Sequence, residues 1–466
     1  MTTRSEHDTL GEIELPADAL YGAQTARAVE NFPISGLHAF PAFVRATVLV
    51  KKAAALANRE SGRLPDDLCR AIVGACDELL GGNYAEAFVV DVFQAGAGTS
   101  HNMNANEVIA NRANEILGAG KRGEYAKVNP NDHVNMAQST NDVTPTAIRI
   151  ALLELAKTVA VELDALGGTF AAKAAAYANV VKPGRTHLQD AVPITFGQEF
   201  GGWAARLRGA ADGVRSARSG LCDLGIGGTA AGTGLNADPD YRARVCAHLA
   251  AWTGDPIVPA ADLFASMQST TAFVNVSSAM RSAAVELSSI ANDIRLMVSG
   301  PRTGFGVLIL PAVQPGSSIM PGKVNPSIAE MVDQVCFQVI GNDTAVMLGA
   351  QAGQLELNVM MPGMNFALCF SATILANATR VFRTKCVDGL RVDEQRAKDL
   401  LDASPSLIVT ALAPHIGYAK AAGLVKRALA ERRPLFDIAL EERALPEADL
   451  KRVLDPLPMT KGGVQS

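Results

Sequence analysis

Aromatic side chains are scarce in this chain: Phe, Trp and Tyr make up 5% of its 466 residues, although 48% are hydrophobic. Its apolar surface is therefore small and aliphatic, which suits close helix–helix packing and buried subunit faces. No Cys-x-x-Cys occurs, and the seven cysteines lie scattered at 69, 76, 222, 246, 336, 369 and 386. That odd, dispersed set argues against a disulfide framework or a zinc site, and for buried thiols in a reducing cytoplasm. No apolar run reaches the ~18–20 residues that a membrane span needs. A basic block is also missing and the net charge is −5, so nothing calls for nucleic acid. The stretch from Met1 to Glu14 is polar and carries acids, unlike a signal or transit peptide. Internal repeats and low-complexity linkers are absent. An acidic protein that binds a small anion must then do so with local donors rather than with a global field.

What the chain does contain is helical patterning on a large scale. Its length exceeds the usual single core, so two or three cores or an oligomer are expected. Residues 1–40 are short-segmented, with Leu20 to Thr25 the most distinctive piece. Helical patterning covers about 41–82, with a fresh start at Leu64-Pro65-Asp66. Ile148, Leu152, Leu155, Val159, Leu163 and Leu166 share one helical face. Helices are expected again from about Gly197 to Leu221, Asp262 to Met297 and Pro326 to Leu348, and small ones at Leu400 to Ala422 and Glu441 to Leu454. Long segments with sustained apolar stripes and many alanines predict a mostly α fold built on a long-helix bundle. Boundaries are expected near 142 and 393, giving an N-terminal domain 1–142, a central bundle 143–392 and a small C-terminal helical domain 393–466. The glycine-rich run Gly225 to Gly234 lacks a following Lys-Ser/Thr, so a connection between helices is a better reading than a phosphate loop.

Four polar clusters stand apart from these helices. The first, Gly96 to Glu107, offers backbone access at Gly96 and Gly98 and neutral donors from Thr99 onward. The second, Asn131 to Asp142, places Ser139, Thr140 and Asn141 just before Val143-Thr144-Pro145, where anion binding at a helix start is natural. The first is equally readable as a capped helix N-terminus, and for the second, taken alone, a capping Asx or Ser/Thr turn is the better reading. The third, Gly184 to Asp190, is a dense polar turn between helices that carries Thr186 and His187. The fourth, Gln314 to Pro326, reads as a loop punctuated at both ends and holds Ser317, Ser318, Lys323 and Asn325, with Glu330 on the helix that follows. Such a loop can offer an anion backbone N–H groups, hydroxyls and a cation together.

These four clusters, in this order, resemble the motif layout of the aspartase/fumarase superfamily, and the resemblance runs nearly end to end. The run Gly316-Ser317-Ser318-Ile319-Met320-Pro321-Gly322-Lys323-Val324-Asn325-Pro326 is highly specific to it. The resemblance implies a three-domain fold whose central bundles associate into a twenty-helix homotetramer, with active sites shared among subunits. Within the superfamily, Ala97, Ser100, Thr140 and the stretch Ala352 to Met360, with Gln354, are similar to the aspartase branch rather than to class II fumarases. One departure is clear: Val307 and Ala312 stand where aspartases usually carry acids.

The chemistry so implied is reversible deamination of L-aspartate to fumarate and ammonia. Ser317 would remove the Cβ proton to give an enediolate, its hydroxyl activated by Lys323 and loop N–H groups. Thr99, Ser139, Thr140 and Ser318 would bind the β-carboxylate. Thr186, Lys323 and Asn325 would bind the α-carboxylate. Asn141 and His187 would face the amino group, Glu330 would hold the tautomer of His187, and Met320 completes the substrate-binding set. No cofactor and no metal are implied, and the partners are a small dicarboxylate and further copies of the chain. Two other readings stay open: a fumarate hydratase or a lyase for another 2-substituted succinate, and a non-catalytic helical scaffold.

Overall fold

The computed structural model describes residues 2–464, so the extreme ends of the first and last expected domains lie outside the described residues. The fold is mostly α. Five helices have 22 residues or more among those described: Thr140–Ala176, Phe196–Ser219, Thr271–Met297, Ser327–Gln351 and Met361–Phe382. The apolar stripe read along the first of them is buried, with Ile148, Leu152, Val159, Leu163 and Leu166 all fully enclosed. The last carried no helical expectation. Among the described residues the strands form four two-stranded sheets. No helix among the described residues is long and apolar enough to cross a membrane.

The chain divides into two compact units. One comprises the chain up to Val161 with Ala211–Val285 and Val335–Ala376; the other comprises Glu162–Ala210, Glu286–Gln334 and the chain from Asn377. In the first, the helices Pro41–Glu60, Asp66–Leu80 and Thr99–Ile116 pack around Ile72, Ala75, Cys76, Val108 and Ile109. In the second, a satellite core gathers Leu412, Leu424, Ile438, Leu450 and Val453.

Three local expectations need correction. The segment Leu400 to Ala422 is not one helix. Ser404-Pro405 and Gly417, at φ +83°, cut it into short pieces, and the main helix there is Tyr418–Glu431, because proline cannot continue the preceding turn's hydrogen bonds. The third polar cluster is a hairpin rather than a link between helices: Val181–Thr186 pairs antiparallel with Gln189–Thr195. The segment Asp262 to Met297 is two helices, Leu263–Gln268, capped by Asp262 on the Ala265 N–H at 2.9 Å, and Thr271–Met297. The run Gly225 to Gly234 does connect elements, leading from the short strand Asp223–Leu224 to the helix Tyr241–Thr253.

One buried carboxylate ties the beginning of the chain to this frame. Glu107, 3% exposed, accepts the N–H groups of Gly22, Gln24 and Thr25 at 2.8, 2.9 and 3.2 Å and the Thr25 hydroxyl at 2.6 Å. Those N–H groups open the helix Ala23–Asn31, so the carboxylate fills the place of a missing N-cap side chain. Burial pushes its pKa up, and the four donors oppose that shift. Glu107→Gln turns one acceptor oxygen into a donor facing these N–H groups. It is expected to lower stability by about 2–4 kcal/mol, read as a shift of the denaturant midpoint with unchanged slope.

Candidate active site

The long loop 314–326 closes on itself. Gly316 N–H donates to Lys323 O at 2.8 Å, and Asn325 Nδ2 donates back to Gly316 O at 2.7 Å. A Cβ at Gly316 would lie 2.5 Å from Lys323 O, so this approach requires glycine. Inside the closed loop, Ser317 Oγ accepts the N–H groups of Ile319 and Met320 at 3.2 and 3.0 Å. Two fixed donors on one hydroxyl oxygen favour its anionic form. Ser318, Met320 and Lys323 are exposed on the same loop. Ser317, Met320 and Lys323 line a cavity of about 380 Å³ whose rim includes Ala312 and Val313. Lys323, Asn325 and Glu330 line a second cavity, of about 840 Å³, with Arg295 and Ser299.

Of the two positions where acids are absent, Val307 is 1% exposed and Ala312 is exposed. The backbone of Val307 is tied on both sides, to Met297 O and by the Asp393 N–H, at 2.9 Å each. An acid there would be a buried, costly charge. Ala312, by contrast, borders the space beside Ser317.

Thr186 and His187 sit exposed at the hairpin tip. His187 and Leu188 have φ of +56° and +59°, the paired left-handed conformation of a tight hairpin turn without its usual Asn or Gly. Backbone strain of this kind gathers at functional sites. The hairpin is anchored by Lys182, 4% exposed, which pairs with Glu199 at 2.5 Å. Arg185 stacks over the Phe305 ring at 4.4 Å. Among the described residues, no ion pair joins His187 to Glu330 within the chain.

The first two clusters come together at two helix starts. Thr99 opens Thr99–Ile116, but neither Thr99 nor Ser100 caps it: Gly98, at φ +90°, occupies the cap position, and Gln94 Oε1 accepts the His101 N–H at 2.8 Å. Thr99 itself is exposed, and its hydroxyl donates to Gly96 O at 3.4 Å. Ala97, at φ +60°, donates its N–H to Val359 O at 2.8 Å, so two of the stretches that carry the aspartase-like residues meet. His101 is 3% exposed, stacked on Phe43 and hydrogen-bonded to Thr47; burial, helped by Lys51, pushes its pKa down to about 3. It is a neutral core residue.

The helix Thr140–Ala176 begins with a capping box. Ser139 Oγ accepts the Asn141 N–H at 3.2 Å, and Asp142 Oδ1 accepts the Ser139 N–H at 2.9 Å. The capping alternative is thus realised at this cluster, and Ser139 still lines a cavity of about 540 Å³. Asn102 Nδ2 donates to Thr140 Oγ1 at 3.1 Å, linking the two clusters.

Lys51 and Asp142 beneath this turn carried no functional expectation. Lys51, 0% exposed, donates to Asn135 Oδ1 and Gln138 Oε1 at 2.9 Å each. Burial lowers its pKa to about 7, opposed by the charge of Asp142. Burial raises Asp142 to about 6, opposed by backbone N–H donors and by Lys51. A lysine inside an otherwise buried alanine-rich stripe, Val50-Lys51-Lys52-Ala53, was the available signal.

Comparison with known proteins gives the family. A model of the lyase family matches residues 11–341, and one of the fumarase C C-terminus matches 408–461. The chain is 47% identical to aspartate ammonia-lyase of Bacillus subtilis, over 99% of this chain and 97% of that one. It is 46% identical to fumarate hydratase class II of Ralstonia nicotianae, over 94% and 95%. The crystal structure of fumarate lyase:delta crystallin from Brucella melitensis bound to cobalt superposes with a TM-score of 0.94, covers 98% of this chain and all of its own, and is 48% identical. With a family match over most of its length and relatives this similar from end to end, the chain is a lyase of the aspartase/fumarase superfamily.

Proposed function

We propose that the chain catalyses the reversible deamination of L-aspartate to fumarate and ammonia. The observation that carries this reading is the state of Ser317, whose Oγ accepts two backbone N–H groups in a self-closed loop that also presents Lys323. Ser317 takes the Cβ proton, the C–H electron pair moves into an enediolate on the β-carboxylate, and collapse to the C=C bond expels ammonia from Cα. Donors that strengthen their hold as that dianion builds lower the barrier. Thr99, Ser139, Thr140 and Ser318 hold the β-carboxylate. Thr186, Lys323 and Asn325 hold the α-carboxylate beside Met320. Asn141 and His187 face the amino group.

Among the described residues Glu330 and His187 do not pair within one chain, and in this reading further copies complete the site. Five long helices per chain is the number a twenty-helix tetramer needs. Apolar side chains left exposed on them supply its contacts: Phe337 at 61%, Val161 at 56% and Leu348 at 54%. The division into 1–142, 143–392 and 393–466 and a cytoplasmic location belong to the same reading.

Identity alone does not separate the aspartase from the fumarase branch, since 47% and 46% are nearly equal. The choice rests on Ala97, Ser100, Thr140 and Gln354. Fumarate absorbance should rise with L-aspartate, matched mole for mole by ammonia, and stay flat with L-malate; turnover of malate alone would transfer the chain to the hydratase reading. Ser317→Ala is expected to lower kcat by about 10²–10⁴-fold while light scattering still reports the tetramer; undiminished ammonia release would remove Ser317 as the base. Phe337→Lys should shift the mass in solution toward smaller species and reduce activity with it, and an unaltered tetramer would argue against burial of that face.

A further inference from the structure

The carboxylate of Asp142 is a meeting point of two segments far apart in sequence. It is 0% exposed, and three backbone N–H groups converge on it. Ser139 N–H donates to Oδ1 at 2.9 Å, and Gly227 and Thr229 N–H both donate to Oδ2 at 3.0 Å. The latter two belong to the glycine-rich run Gly225 to Gly234. That run makes a second clamp, since Asn141 Nδ2 donates to Ala230 O at 2.8 Å. With its amide nitrogen committed to a carbonyl, Asn141 keeps Oδ1, an acceptor, for any ammonium group that approaches.

The run is shaped for this contact. Gly227 has φ +87°, and a Cβ there would lie 2.8 Å from the Cβ of Arg242. Thr229 is also left-handed, at φ +54°. Below the turn, Lys51 grips Gln138 and Asn135, and Asn135 Oδ1 also accepts from Asn102 Nδ2 at 3.3 Å. Three donors facing one side chain, with no acceptor among them, can be satisfied by a carboxylate but not by a carboxamide.

We propose that Asp142, clamped to the glycine-rich segment 225–234, is a positioning residue that sets Ser139, Thr140 and Asn141 for the substrate. The proposal rests on the reading of Ser139 and Thr140 as β-carboxylate ligands. Asp142 touches no reacting atom. It acts by fixing the helix start whose hydroxyls do the binding, and displacement of such groups by about 1 Å can cost on the order of 10²-fold in rate.

The test uses the full-length enzyme with L-aspartate and compares Asp142→Asn, Gly227→Ala, Ser139→Ala and the double variant Asp142→Asn/Ser139→Ala. Asp142→Asn and Gly227→Ala should each raise KM by about tenfold or more, measured on folded oligomer after size-exclusion chromatography. Gly227→Ala perturbs the clamp from the glycine-rich run and leaves every residue of the 139–142 turn in place, so it carries the test if Asp142→Asn does not fold. The double variant should lose little beyond the worse single variant, because both changes remove the same interaction. A merely structural Asp142 would lower Tm and the folded yield while leaving KM and kcat of the folded enzyme at wild-type values, and that result overturns the proposal. If Ser139→Ala raises KM and the clamp variants do not, the proposal fails while the ligand reading stands. If Ser139→Ala leaves KM unchanged, the ligand reading fails and the proposal falls with it.

Discussion

A helix start leaves backbone N–H groups without intrahelical partners, and much of this chain's polar chemistry is arranged around that deficit. Glu107 fills it at Ala23, Gln94 at Thr99, and Ser139 with Asp142 at Thr140. Each solution differs in what it leaves over. At Thr99 a nearby glutamine accepts a helix-start N–H, so the exposed threonine hydroxyl is not used as the cap and donates to Gly96 O instead. At Thr140 the cap is built from the turn itself, and the remaining freedom is removed by a lysine and a carboxylate under it. In a chain of net negative charge, attraction for an anion has to come from local donors of this kind rather than from the global field.

The loop 314–326 solves a related problem without a helix. Within it two N–H groups point at Ser317 Oγ, and donors so placed favour the anionic form of a hydroxyl. The loop's own closure, through Gly316, Lys323 and Asn325, keeps those donors in place before substrate arrives. Preorganisation of this kind matters more than the strength of either hydrogen bond, because no reorganisation is then required as charge develops.

Specificity in this superfamily has to be read from few positions, since the chain is about equally similar to an aspartate ammonia-lyase and a class II fumarate hydratase. Two of the stretches that carry the distinguishing residues, around Ala97 and Val359, are joined by a backbone hydrogen bond. Thr140 is likewise bound to Asn102. The markers are thus parts of connected local structure, and a change at one is felt by its neighbour. Val307 and Ala312 differ in kind: the first is a core position unfriendly to charge, the second an exposed position beside the candidate base.

Four of the five long helices, the α fold and the four polar clusters were legible without coordinates. Helical periodicity and the punctuation of a loop by Pro, Gly and Asn are properties of neighbouring residues. The hairpin under His187 was not legible, because left-handed backbone at His187 and Leu188 leaves no glycine or asparagine to announce it. Nor was the break at Gly417, where short amphipathic stretches look continuous until their packing is known. The sequence by itself also determined that Ser317, Lys323 and Asn325 share one loop. Only the tertiary structure decided that Lys51 is buried and that Asp142 gathers N–H groups from positions 139, 227 and 229. The pairings with 227 and 229 cross 85 and 87 residues of chain, and a hydrogen bond over that separation exists only once folding has brought its donor and acceptor to 3.0 Å.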